Sequence, residues 1–266
     1  MAACGCAATA PPAAGPARSV GAPSHSATPS PSPSPSPSSL PLAGRIVGID
    51  PGHNGGNFSD PGYIDQQVWN GQEYEDCDTT GTEAADGFTE ASFNFDVATY
   101  LQADLIALGA TVVMTRDSND GVGPCVTTRA QIINDAHADV ALDIHADGGP
   151  VTGRGFTVLE PVADGPNDAV ITASQQFGAD VRSAILLYTP MPESDYYGTD
   201  GVISRDDLAG LNLTTVPKVL VECGNMPNPT DAALLQSTSF QQQLAKAFTA
   251  AIIAFLTGQP VSGPAG

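Results

Sequence analysis

Positive charge is scarce in this chain. Its 266 residues hold 9 Lys and Arg against 29 Asp and Glu, a formal charge of -20. No basic patch interleaved with aromatic residues occurs, so a phosphate backbone has nothing to bind and nucleic acid is excluded as a partner. The same imbalance removes electrostatic attraction to anionic lipid or acidic polymers. A run of 18 or more apolar residues is also missing, so no transmembrane helix is expected. Nor is there a Gly-x-Ser-x-Gly turn to present a serine nucleophile. The start of the chain lacks the cationic and apolar blocks of a complete secretion signal. Met1-Ala-Ala-Cys4-Gly-Cys6 nevertheless looks like the tail of one, with small residues before a cysteine. We therefore expect an upstream start, export to the periplasm or cell wall, and a possible lipid anchor at Cys4.

The first 44 residues also lack anything that could build a core. Pro29 to Ser39 is proline and serine throughout, an extended and solvated tether. Residues 1-44 are expected to be a disordered tail and tether, 45-258 one catalytic domain, and 259-266 a flexible C-terminal tail. Within the domain, short apolar strands alternate with amphipathic helices. That pattern predicts an α/β fold: a single domain with a mostly parallel twisted sheet and helices on both faces. The spacing predicts strands at 45-49, 111-115, 139-144, 155-159 and 219-223. Helices are predicted over 90-108, 127-137, 167-188, 230-236 and 240-256. Thr89 is a natural N-cap for the first helix, and Val97, Leu101, Leu105 and Leu108 form its apolar stripe. Residues 57-88 are acidic and without period, as expected of a hairpin or a loop shaping a site. Their spacing matches no EF-hand, which leaves calcium without support. Residues 190-210 are expected to be irregular.

Histidine is rare as well, with 4 in the chain, so its placement carries information. His145 ends the apolar run Val140-Ala-Leu-Asp-Ile-His145, and glycines follow. His53 stands in the same position after Arg45-Ile-Val-Gly-Ile-Asp50-Pro-Gly. Carboxyl ends of strands are where open α/β sheets form their ligand crevice. His25 lies in the tether, and His137 reads as a helix-end or surface residue. Glu90 opens a helix facing the same rim. Glu222 is a carboxylate inside the apolar Val219-Leu-Val-Glu-Cys, where burying a charge is costly without a partner. A catalytic zinc takes three ligands from histidine and carboxylate and leaves one position open. His53, Glu90 and His145 supply that set, leaving Glu222 as general base. Asp50 and Asp143 are close enough in sequence to accept hydrogen bonds from the ring N–H groups. Cys77 and Cys125 are plausible disulfide partners in an oxidising compartment. Closing that loop of about 50 residues would stabilise the fold by roughly 4 kcal/mol, less any strain. Cys223 adjoins Glu222 but points to the opposite strand face, which disfavours a cysteine nucleophile.

Taken in order, Asp50-Pro-Gly-His53, Glu90, Val113-Met-Thr-Arg116, Arg129, Ala138-Asp139, Asp143-Ile-His145, Pro217-Lys-Val-Leu-Val-Glu222 and Asn228-Pro229 resemble the zinc-dependent N-acetylmuramoyl-L-alanine amidases of the type-3 family. The resemblance spans Arg45 to Leu256. It implies one Zn2+ per chain on His53, Glu90 and His145, with Glu222 catalytic. It also implies hydrolysis of the amide between N-acetylmuramic acid and L-alanine in peptidoglycan or muropeptides, by a monomer. Two positions depart from the family pattern: His53-Asn54-Gly55-Gly56 replaces His-Gly-Gly, and Asp143 stands where serine is common. A zinc peptidase cutting within the stem peptide, or a catalytically silent wall-binding or regulatory module, are the alternatives.

Overall fold

Side chains alternate along three neighbouring strands, and that alternation decides which face of the sheet meets the long helices. Val47 and Ile49, Val140, Leu142 and Ile144, and Val219 and Val221 all point to one side and are fully buried. Between them Gly48, Asp50, Ala141, Asp143, His145, Lys218, Leu220 and Glu222 occupy the other side. The computed structural model describes residues 40-264, with Ala10 and Gly15 besides. Cys4 and the Pro/Ser tether lie outside the described residues.

In chain order the elements are β1 (Ile46–Pro51), α1 (Pro61–Ile64), β2 (Gln67–Trp69), β3 (Tyr74–Asp76), α2 (Glu90–Ala107), β4 (Thr111–Met114), α3 (Val126–Asp135), β5 (Val140–Asp147), β6 (Thr157–Pro161), α4 (Ile171–Tyr188), β7 (Val202–Arg205), α5 (Ala209–Asn212), β8 (Lys218–Asn225), α6 (Pro229–Leu235) and α7 (Thr238–Thr257). Six strands form one sheet in the order β4-β1-β5-β8-β6-β7, and β2 pairs with β3 in a separate hairpin. All pairings in the large sheet are parallel except β6 against β8. The expected α/β domain with a mostly parallel sheet is the one observed.

Helices cover both faces unequally. On the apolar face, Phe93, Val97 and Leu101 of α2, Phe177 and Val181 of α4, and Leu244 and Phe248 of α7 join the strand residues in one core. The opposite face receives only short elements: Ile133 of α3 packs on Ala141, and Leu211 of α5 on Leu159 and Leu220. The remainder of that face is polar, and there the site forms.

Two boundaries differ from expectation. Leu42 is completely buried and its N–H donates to the Leu108 carbonyl at 3.0 Å. The domain therefore begins before Arg45, because an apolar side chain at the end of the tether closes the bottom of α2. At the other end, Val261 packs against the core and the Tyr188 hydroxyl donates to the Ser262 carbonyl at 2.7 Å, so residues 259-264 lie along the helix layer. The segment 190-210, expected to be irregular, contains β7 and the start of α5. Among the described residues, no helix is long and apolar enough to cross a membrane.

Candidate functional site

Glu90 is the first residue of α2, whose N-cap Thr89 accepts from the Ser92 N–H. Anchored there, the carboxylate reaches across the carboxyl end of β5. Its Oε1 accepts from the Ala146 N–H at 3.2 Å and lies 2.8 Å from His145 Nδ1, and its Oε2 accepts from the Thr82 N–H at 2.9 Å. The same Oε2 lies 3.3 Å from His53 Nε2. The two imidazole rings meet edge to face with centroids 4.9 Å apart. One donor atom each from His53, Glu90 and His145 falls within 4.8 Å of the others. Two imidazole nitrogens and a carboxylate oxygen, with donors from three separate elements, make a set that could hold a metal ion.

Crowding explains the glycines. A Cβ on Gly52 would lie 2.1 Å from His145 Nε2, and one on Gly81 would lie 2.7 Å from both Glu90 Oε2 and the His53 ring. The backbone must pass that close for the rings to converge. His53 itself adopts φ 57°, left-handed territory that costs a non-glycine residue energy and clusters at functional sites. Arg129 holds it there, donating from Nη2 to the His53 carbonyl at 2.7 Å.

Each ring uses its outer nitrogen too. His145 Nε2 lies 3.3 Å from Asp143 Oδ1. Asp50, by contrast, touches neither histidine. Its oxygens accept from Thr115 Oγ1 at 2.6 Å, Lys218 Nζ at 2.8 Å and Arg129 Nη1 at 3.1 Å. Strand alternation points Asp50 at the centre of the polar face, away from the loop carrying His53. The partner at His53 Nδ1 is Asp78, 3.3 Å away, together with the Thr79 carbonyl at 3.2 Å. Asp78 was hidden in an acid-rich loop with no period. Its one local signal is its neighbour Cys77, which is bridged to Cys125 with Cα atoms 4.5 Å apart and holds the loop under the site.

Lys218 is 1% exposed and was given no role by the sequence. Its ammonium lies 2.8 Å from Asp50 and 3.3 Å from Asp143. Burial alone would discharge it, but those two carboxylates raise its pKa above the ordinary value. Burial likewise works against the Asp50 charge, and Lys218 with Arg129 outweighs it, holding Asp50 well below the usual carboxylate range. The histidines follow the same pattern. Desolvation pulls His53 down, yet Glu90 and Asp78 carry it up to about 9, and Asp143 and Glu90 raise His145 in the same sense.

Glu222 lies directly across from His145 in the β5–β8 register. Its Oε2 is buried with no hydrogen-bond partner, and burial pushes its pKa up to about 8 despite the nearby His145 ring. Cys223 faces the core from the opposite side of the strand, as alternation requires. A cleft of about 220 Å³ opens over His53, Glu90, His145 and Glu222, with Arg205 also in its lining. Arg205 is held by Asp207 and the Tyr197 hydroxyl. Nothing local in the sequence marked it. A second cavity of about 500 Å³ shares His53 and His145 and extends to the hairpin and α5. His137 is an exposed turn residue after α3.

A family model for N-acetylmuramoyl-L-alanine amidases matches residues 47-254. Among curated proteins, an N-acetylmuramoyl-L-alanine amidase of Mycobacterium tuberculosis is 38% identical over 225 residues, covering 82% of this chain and 89% of that protein. A germination-specific N-acetylmuramoyl-L-alanine amidase of Bacillus subtilis is 25% identical over 231 residues, covering 82% and 83%. Among solved structures, the amidase Ami1 of Mycobacterium smegmatis aligns with a TM-score of 0.77 at 41% identity, covering 82% of this chain and 99% of that one. Ami1 of Mycobacterium abscessus aligns with a TM-score of 0.76 at 38% identity, covering 81% and 100%.

Proposed function

The chain belongs to the N-acetylmuramoyl-L-alanine amidase family, and from that premise we propose an exported, monomeric zinc hydrolase of the bond between the lactyl group of N-acetylmuramic acid and L-alanine in peptidoglycan. One ion would be held by His53, Glu90 and His145. The observation that carries this reading is the convergence of those three donors within 4.8 Å of one another, beside a buried Glu222 oxygen that has no other partner.

When bound, zinc supplies Lewis acidity, which polarises a carbonyl and acidifies water. Glu222 would take the proton from the attacking water and return it to the departing alanine amine. An unpartnered oxygen suits that role, because no existing hydrogen bond must break before a proton arrives. Glu222, whose carboxyl burial favours in the protonated form, would be ionised more readily beside a bound dication. Asp143 and Asp78, at the outer ring nitrogens, would fix the tautomer and orientation of His145 and His53. The backbone N–H groups of Thr82 and Ala146 position Glu90 without competing for its charge.

The deciding experiment is metal content measured together with product identification on defined muropeptides. Free muramyl sugar with an intact peptide is the expected product. A shortened peptide would move the assignment to a stem-peptide peptidase, and metal binding without turnover to a silent module.

A further inference from the structure

The hairpin β2–β3 carries two large aromatics that the core does not use. Strand alternation sends Val68 and Glu75 inward and Gln67, Trp69, Tyr74 and Asp76 outward. Trp69 and Tyr74 are register partners, 50% and 67% exposed, with ring centroids 5.3 Å apart at an interplanar angle of 69°. Edge contact of this kind leaves both faces of one ring uncovered. Exposed aromatic area of this size, on an ordered element, marks a binding surface.

The element is held firmly. Glu75 accepts from the Ala209 N–H at 2.9 Å, Asn70 donates to the Asp207 carbonyl at 3.2 Å, and the Cys77–Cys125 bridge closes the base. Tyr74, Gln67 and Asp76 also line the 500 Å³ cavity that contains His53 and His145. The aromatic pair is therefore an outward continuation of the wall of the site.

Charge narrows the ligand. In a chain of formal charge -20, with Asp76 at the platform and Glu75 directly behind it, an anionic partner is repelled. An uncharged pyranose fits: one flat face of C–H groups for the rings, and a rim of hydroxyls for the Gln67 amide and the Asp76 carboxylate. The family name supplies the rest, since the acyl side of an N-acetylmuramoyl amide is a sugar that must leave the cleft in some direction. We propose that Trp69 and Tyr74 form a saccharide platform that takes pyranose rings of the glycan strand next to the bond being cut. This rests on the amidase reading and adds where the glycan lies.

Trp69 is the chain's single tryptophan, so selectively excited tryptophan emission reports on the platform alone. The full chain is titrated with a hexamer of N-acetylglucosamine, which has no peptide and no scissile amide. A saturable change in Trp69 emission is expected, weakened about tenfold or more by Tyr74→Ala and, by calorimetry, by Trp69→Ala. Phe58→Ala, which removes an aromatic exposed to 76% elsewhere on the surface, should leave binding unchanged. In turnover, Trp69→Ala should reduce kcat/KM about tenfold more on polymeric glycan than on a single-disaccharide muropeptide. Absence of binding by the wild type, or equal binding by a chain carrying both Trp69→Ala and Tyr74→Ala, overturns the proposal. Concentration-dependent dimers that depend on Tyr74, without saccharide binding, overturn it in favour of self-association. The hexamer needs no hydrolysis, so its failure to bind leaves the amidase reading intact, and lack of turnover on any muropeptide leaves the platform intact.

Discussion

One sheet presents two opposite chemistries. On the helix-covered face, Val47, Ile49, Val140, Leu142, Ile144, Val219 and Val221 are fully buried among apolar side chains. On the other face, the alternate residues of the same strands bury Asp50, Asp143 and Lys218, and present His145 and Glu222 at the rim. The first face obtains its stability from area removed from water, a term indifferent to direction. On the second, the charges are tolerable only because each is paired, Asp50 with Lys218 and Arg129 and Asp143 with Lys218. The apolar face can be varied with a graded cost. The polar face depends on partners, and each missing one leaves a buried charge uncompensated.

The largest effects should come from the rim of the polar face. His145→Ala should lose both metal and activity, measured by metal content and muropeptide turnover. Glu222→Gln should keep the metal and lower turnover by about 10²- to 10⁴-fold; near wild-type hydrolysis by this variant would remove Glu222 from the reaction. Further inside, Lys218→Met leaves Asp143 without its cation and Asp50 with Arg129 alone. We expect a loss of about 3–5 kcal/mol in denaturant unfolding, with weaker metal binding because Asp143 no longer holds His145 in place. Leu142→Ala, on the other face of the same sheet, should cost about 2–5 kcal/mol as a cavity and leave metal affinity alone. If both variants weaken the ion equally, the two faces are not independent and the contrast between them fails.

Titration offers a milder test of the same contrast. Asp50 has a folded pKa below its ordinary 3.8, so the unfolded chain binds more protons there, and the stabilisation is present above that value and lost as pH falls below it. Lys218 is raised above its ordinary 10.5, so its contribution is present below that value and lost as pH climbs past it. The difference in unfolding free energy between wild type and Asp50→Asn should therefore shrink below pH 3.8. A constant difference from pH 2 to 7 would show that Asp50 has the same pKa folded and unfolded, so that its pairing adds no net charge stabilisation.

The apolar face was largely legible in the sequence, and the polar face only at its rim. The helix over Glu90–Ala107 announced itself by Thr89 and by a stripe of Val97, Leu101 and Leu105, all local signals. His53, His145 and Glu222 were visible because each interrupts a strand-like run at its end. Asp50 was misread because a strand tells which side a residue faces but not what stands opposite it. Its partner Lys218 arrives from 168 positions further along the chain. Asp78 could not be told from the other acids of its loop, since what distinguishes it is contact with His53 and Arg129. The strand β7 and helix α5 are too short for a period to register.

Glu90 is where the two faces meet, since it begins a helix belonging to the apolar core yet its carboxylate serves the rim. Thr89→Ala removes the side-chain acceptor for the Ser92 N–H and should destabilise the fold by about 1 kcal/mol. Its effect on turnover is expected to be smaller still. Two backbone donors, Thr82 and Ala146, hold the carboxylate independently of the cap, and the carboxylate lies 2.8 Å from His145. Thermal unfolding and muropeptide kinetics on one preparation separate the two quantities. A drop in kcat far beyond the stability change would mean that the cap, and hence the packing of α2 on the apolar face, sets the position of Glu90. In that case the boundary between a forgiving face and an exacting one would run through the helix rather than through the sheet.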